Sequence, residues 1–295
     1  MKNNNNQLKK VTYIIGPTAI GKSELAIKLA QTYSAEIISA DAYQVYKEMT
    51  IGTAKVSAKQ QSLIKHHLID THAPDDVYDV IQFLDYTKKY LAQAQKNNQH
   101  TIICGGNGLF LRSFIYNYQF PNAKSDSKIR QQLEIDYDQL GRDRLWERLN
   151  DIDSQSAKKI HPNNRHHLIR ALEITQLTGK PPSSIKMQSE TQRSDTKIIG
   201  LTMDRMRVIE AIDKRVDNMI KQGLIDEVER LLQRGYDPTL PALNCIGYKE
   251  TIDYIKGRIS KDKMIDLIKI HTHQFAKRQM TWFKKIKDVT WEIKH

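Results

Sequence analysis

Apolar residues fall along this chain in short runs separated by longer amphipathic stretches. Residues 11–15, 36–39, 101–104 and 197–203 are apolar runs bounded by polar or glycine positions, and they read as strands. Residues 289–293 read as a last one. Residues 24–33, 79–95 and 109–118 repeat apolar positions at helical spacing, as Val80, Phe83, Leu84 and Leu91 do in the second. Strands alternating with helices predict an α/β fold with a parallel sheet. From about 122 to 195 no strand is legible. Charged helices are expected there at 128–140, 142–150, 154–160 and 164–178, stopped by the Gly-Lys-Pro-Pro-Ser run at 179–183, with a loop at 187–196. Helices at about 205–221, 224–234, 247–256 and 261–283 follow. The chain therefore reads as an α/β core of residues 1–120 and 197–295, with a helical domain of residues 121–196 inserted.

The first strand runs into Gly16, Pro17, Thr18, Ala19, Ile20, Gly21, Lys22 and Ser23, and a helix follows at once. A loop that enters a helix N-terminus aims several backbone N–H groups at one point, where the helix dipole also favours negative charge. Lys22 adds a mobile cation and Ser23 a hydroxyl suited to magnesium, so a P-loop-like fold that binds a phosphorylated ligand is expected. By motif alone that ligand could be ATP. The second strand delivers Asp41 at its carboxyl end, where open α/β sheets gather ligands. There it reads as a general base or a magnesium-linked acid, with a helix cap as the bland alternative. Tyr43 and Gln44 offer a flat ring and an amide of the type that hold a base. The Gly105-Gly106-Asn107-Gly108 turn forms a second wall of the pocket or a simple capped turn.

A formal net charge of +12 sets this chain apart from most small-metabolite enzymes and points to a polyanionic partner, nucleic acid above all. The stretch 277–284 interleaves Lys277, Arg278 and Lys284 with Trp282, which suits RNA but is equally common on an ordinary helix. Two cysteines, Cys104 and Cys245, exclude a disulfide framework and fit a reducing compartment. The histidines lack zinc-ligand spacing. No apolar run approaches the roughly 20 residues of a membrane span, and the polar leader 1–10 lacks a signal-peptide core. A cytoplasmic, monomeric protein with no membrane partner is expected.

Several stretches, in order, resemble the bacterial tRNA dimethylallyltransferases: GPTAIGKS (16–23), EIISADAYQVYKEMTIGTAK (36–55), HHLID (66–70), GGNGLF (105–110), IHPNNRHHLIRALE (160–173), RVDNMIKQGLIDEV (215–228), IGYKE (246–250) and AKRQMTWF (276–283). The resemblance implies that the phosphate loop holds the diphosphate of dimethylallyl diphosphate with Mg2+. The diphosphate would be a leaving group, with no ATP hydrolysed, and the acceptor would be N6 of the adenosine beside the anticodon (position 37). Asp41 would be the base, with Asn107 and Arg215 at the reacting centre. It also implies tRNA contacts at Asp41, Ala42, Tyr43, Gln44, Asn107 and Arg130, and at Arg165, His166, His167 and Arg170. Further contacts are implied at Asn244, Cys245, Ile246, Gly247, Tyr248 and Lys249, and at Lys277, Arg278, Gln279, Trp282 and Lys284. Asn107 and Phe110 depart from the family's Thr and Tyr, Ile20 from a small residue, and His167 from an Arg that Arg165 could replace. A P-loop kinase, or a tRNA-binding protein with weakened catalysis, are the alternative readings.

Overall fold

A computed structural model describes residues 11–120, 126–185, 192 and 196–294. The leader 1–10 and nearly all of the loop expected at 187–196 lie outside the described residues. The chain divides into two compact units, Met1–Ile115 with Arg193–His295, and Tyr116–Gln192.

The first unit is built on a parallel six-stranded sheet. Its strands are β1 (Val11–Ile15), β2 (Glu36–Ala40), β3 (His66–His67), β4 (Thr101–Gly105), β5 (Thr196–Met203) and β6 (Val289–Lys294), in the order β3-β2-β4-β1-β5-β6. β1 and β4 are buried at every residue, as continuous apolar strands covered on both faces must be. β3 is two histidines long, too short and too polar to be legible as a strand. One face is covered by α1 (Lys22–Tyr33), whose Ala26, Ile27 and Ala30 pack on Ile14, Ile37, Ile102 and Cys104. After the short α2 (Ala58–Leu63), α3 (Val80–Lys96) starts at a capping box. The Asp79 carboxylate accepts from the Ile81 and Gln82 N–H groups, and the Gln82 side chain reaches back. α3 meets α4 (Gly108–Ile115) through Phe83 stacked on Phe110, centroids 4.7 Å apart. The helix expected to reach 118 stops at Ile115, because Asn117 takes a left-handed conformation at φ 47°.

The second unit holds α5 (Ser127–Leu140), α6 (Arg142–Ile152), α7 (Ser154–Ala157) and α8 (Arg165–Thr178). They close on Leu133, Leu145, Leu149, Leu168 and Leu172. The helix expected at 154–160 stops at Ala157, where the Trp146 indole N–H donates to the carbonyls of Ala157 (3.1 Å) and Ile160 (2.9 Å).

Back in the first unit, α9 (Arg205–Lys221), α10 (Leu224–Gln233), α11 (Tyr248–Ile255) and α12 (Lys261–Phe283) share a core with Val45, Tyr46 and Met49, which lie just beyond β2. That core pins the segment after Asp41. Among the described residues no helix is long and apolar enough to cross a membrane.

Candidate active site

The carboxyl ends of β1, β2 and β4 open onto a cleft of about 230 Å³. Thr18, Ala19, Ile20, Gly21, Lys22 and Ser23 form one side of it. The loop owes its tight path to two glycines. Gly16 lies so close to β5 that a Cβ would stand 2.7 Å from the Leu201 carbonyl oxygen, and Gly21 opens α1 at φ 88°. The Lys22 ammonium donates to the Pro17 carbonyl at 2.6 Å. Burial pulls its pKa down to about 8, partly opposed by the nearby Cys104 and Asp41 and reinforced by Arg215.

Asp41 faces Lys22 across the cleft. Its Oδ1 accepts from the backbone N–H of Tyr43 (2.8 Å) and of Gln44 (3.2 Å), which leaves Oδ2 as the oxygen to meet a ligand. Burial raises its carboxyl above the ordinary range, while these two N–H groups and the charges of Lys22 and Lys55 act against that rise. An acid held this way is more basic than a surface aspartate, which suits it to accept a proton.

The second wall is Gly105 and Gly106. A Cβ at Gly105 would lie 2.1 Å from the Ala40 carbonyl oxygen, so only glycine lets β4 run this close to β2. Asn107 closes the turn. Its Oδ1 accepts from the N–H groups of Leu109 and Phe110, both at 3.1 Å, and so caps α4. With that oxygen committed, Nδ2 is the group Asn107 can offer a ligand. Arg215 arrives from α9 and donates to the Thr18 hydroxyl at 3.0 Å. Burial lowers its pKa, with Glu24 opposing.

The structure therefore brings together the phosphate loop, Asp41, Gln44 and Arg215. Gly16, Pro17 and Asn107 shape that cleft from outside its walls. Gln44 is committed within the loop: its amide donates toward the Thr53 (3.3 Å) and Ala54 (3.4 Å) carbonyls and accepts from Ser39. Of the residues expected to touch tRNA, Cys245, Gly247, Tyr248 and Gln279 are buried and Ala42, Tyr43 and Ile246 partly so. Asn244, Lys249, Lys277, Arg278, Trp282 and Lys284 stand exposed. In the helical unit, Arg130 and Arg170 both donate to the buried Glu173 at 2.8 Å. Arg165 commits its fork to Glu134 and Asp138, leaving His166 and His167 at the surface. Three further histidines face carboxylates, His67 with Glu36, His271 with Glu250 and His273 with Asp213.

One buried carboxylate escaped notice in the sequence. Glu227 on α10 accepts from the N–H groups of Thr50, Ile51 and Gly52 and from the Tyr248 hydroxyl at 2.5 Å, and so holds the segment that brings Lys55 to the cleft. A Cβ at Gly52 would stand 2.3 Å from the Tyr248 ring. Glu227→Ala leaves four donors without their acceptor. It should lower unfolding free energy by at least about 3 kcal/mol, given about 1.5–3 kcal/mol for a hydrogen bond to a charged group. Urea unfolding measures this, and a loss under about 1 kcal/mol would mean that the segment is held otherwise.

A strand, a phosphate loop, a helix and an acid on the neighbouring strand define a P-loop-like α/β enzyme. Residues 44–286 match the family model "IPP transferase". The tRNA dimethylallyltransferase of Acetivibrio thermocellus is 42% identical over 286 residues, covering 96% of this chain and 91% of that protein. The crystal structure of the tRNA isopentenylpyrophosphate transferase of Bacillus halodurans matches with a TM-score of 0.70 at 36% identity, covering 97% of this chain and 90% of that one. A eukaryotic dimethylallyltransferase crystallised acting on tRNA matches with a TM-score of 0.82 at 28% identity, over 96% of this chain and 73% of that one. The chain belongs to the IPP transferase family, and it is a prenyltransferase of tRNA modification.

Proposed function

We propose that this cleft transfers the dimethylallyl group of dimethylallyl diphosphate to N6 of the adenosine at tRNA position 37. The juxtaposition that carries the reading is Asp41 opposite Lys22 and Arg215, an acceptor of protons facing donors to an anion. The N6 lone pair attacks the allylic carbon. The C–O bond breaks with its electron pair leaving on diphosphate, and the N6 proton passes to Asp41. Negative charge that grows on the leaving diphosphate meets the loop N–H groups, Lys22 and Arg215, all positioned before the reaction begins.

Ser23 lines the cleft with a hydroxyl that suits a hard cation, while the free oxygen of Asp41 is kept for the N6 proton. Among the described residues no three His, Cys, Asp or Glu side chains gather as a metal-binding set. Mg2+ takes one or two protein ligands and completes its shell with substrate phosphates and water, so the Ser23 hydroxyl would hold it beside the diphosphate. When bound, it would neutralise diphosphate charge.

The adenosine must leave the anticodon-loop stack, at a cost of a few kcal/mol. The helical unit, with His166 and His167 exposed, and the cations of α12 supply the phosphate contacts that offset it. Incubation with radiolabelled dimethylallyl diphosphate and unmodified tRNA carrying consecutive anticodon-loop adenosines tests the reading. Label should enter the tRNA. Tight tRNA binding without label, or phosphate transfer from ATP, would overturn it.

A further inference from the structure

We infer that Gln279 is a positioning residue of the diphosphate site and makes no contact with RNA. Its side chain is buried, 3% exposed, and both ends of its amide are engaged by backbone from the two walls of the cleft. Oε1 accepts from the Thr18 N–H at 2.8 Å, and Nε2 donates to the Gly106 carbonyl at 2.9 Å. The neighbours dictate that orientation, because the Thr18 N–H can only donate and the Gly106 carbonyl can only accept. A Cβ at Gly106 would lie 2.2 Å from Nε2, so that glycine is what admits the amide.

Two consequences follow for the site. One N–H of the phosphate loop is withdrawn from the anion and used to set the distance between the loop and the second wall. Thr18, fixed through its N–H, receives Arg215 on its hydroxyl, so the guanidinium that meets the leaving group is itself aimed through Gln279. Its helix neighbours Lys277 and Arg278 are exposed, which leaves RNA contact to them. This inference rests on the diphosphate reading above.

Gln279→Glu tests it through protonation. The ionised form of the introduced carboxyl keeps the acceptor for Thr18 but turns a lone pair on the Gly106 carbonyl. The protonated form restores donor and acceptor together, and burial beside a carbonyl favours it. Magnesium-free inorganic pyrophosphate is the probe, titrated calorimetrically at pH 6 and pH 8 on wild type and variant, beside tRNA binding at both. The variant's pyrophosphate Kd should be about tenfold above wild type at pH 8 and within about threefold at pH 6, with tRNA Kd unchanged. An unchanged pyrophosphate Kd, a deficit independent of pH, or weakened tRNA binding alone would overturn the assignment. Should Gln279→Glu lose its cooperative thermal transition, Gln279→Met carries the comparison: a raised pyrophosphate Kd at unchanged tRNA Kd supports the role, and equal pyrophosphate affinity refutes it. Prenyl transfer by the wild type is scored separately, so a failed diphosphate reading is distinguishable from a failed role for Gln279.

Discussion

Asp41→Asn should reduce turnover by about 10²–10⁴-fold, the usual contribution of a positioned general base, with pyrophosphate and tRNA affinities close to wild type. Asparagine is the informative replacement because its oxygen still accepts from the Tyr43 and Gln44 N–H groups. The turn survives and only the proton acceptor is lost. In the wild type, kcat/KM should fall as pH drops through the Asp41 pKa, which burial places above the ordinary carboxylate range. The protonated acid cannot take the N6 proton, so the loss lies on the acid side, and that limb should vanish in the variant. Single-turnover transfer measured from pH 5 to 8 checks both. Turnover within threefold of wild type would remove Asp41 from the chemistry.

Lys22→Met should lower transfer by about 10²–10³-fold, the effect of deleting one preorganised donor to developing negative charge. It should weaken pyrophosphate binding as well. Here the pH dependence has the opposite sign. Burial lowers the pKa of Lys22 to about 8, so the free protein loses this cation as pH rises through that value. A bound anion favours the charged form. Pyrophosphate Kd should therefore climb up to about tenfold per pH unit above that point, measured relative to Lys22→Arg, which stays charged throughout. Parallel profiles for wild type and Lys22→Arg would show that the ammonium does not hold the anion.

Much of this site is legible in the sequence because its parts lie at strand ends. A short apolar run marks each strand, and the residue just past it, Gly16, Asp41 or Gly106, falls at the carboxyl edge of the sheet. What stays hidden is long-range. Glu227 reads as one more acid on an amphipathic helix; only the fold carries Thr50, Ile51 and Gly52 to it, across a sequence separation of 175–177 residues. Gln279 sits among cations and aromatics that suggest RNA, yet Ala276, Gln279 and Phe283 share one buried helical face and Lys277, Arg278 and Lys284 lie off it. That spacing was available to separate them. The capping role of Asn107 is also legible, since a side-chain amide immediately before an apolar helix favours it. The burial of Cys245 and Tyr248 is not, because they fill a core shared by segments from Val45 to Ala276.

The strand order has a bearing on how the chain is born. β1 pairs with β4 on one side and with β5 on the other, Val11 opposite both Thr101 and Thr196. A ribosome delivers β4 well before β5, and at about 5–20 residues per second the stretch between Gly105 and Thr196 takes roughly 5–20 s to appear. During that interval one edge of β1, a strand buried at every residue in the finished fold, has its N–H and C=O groups without a neighbouring strand. For those seconds the nascent chain presents an unpaired strand edge, the feature through which sheets pair wrongly, so slower translation lengthens that exposure.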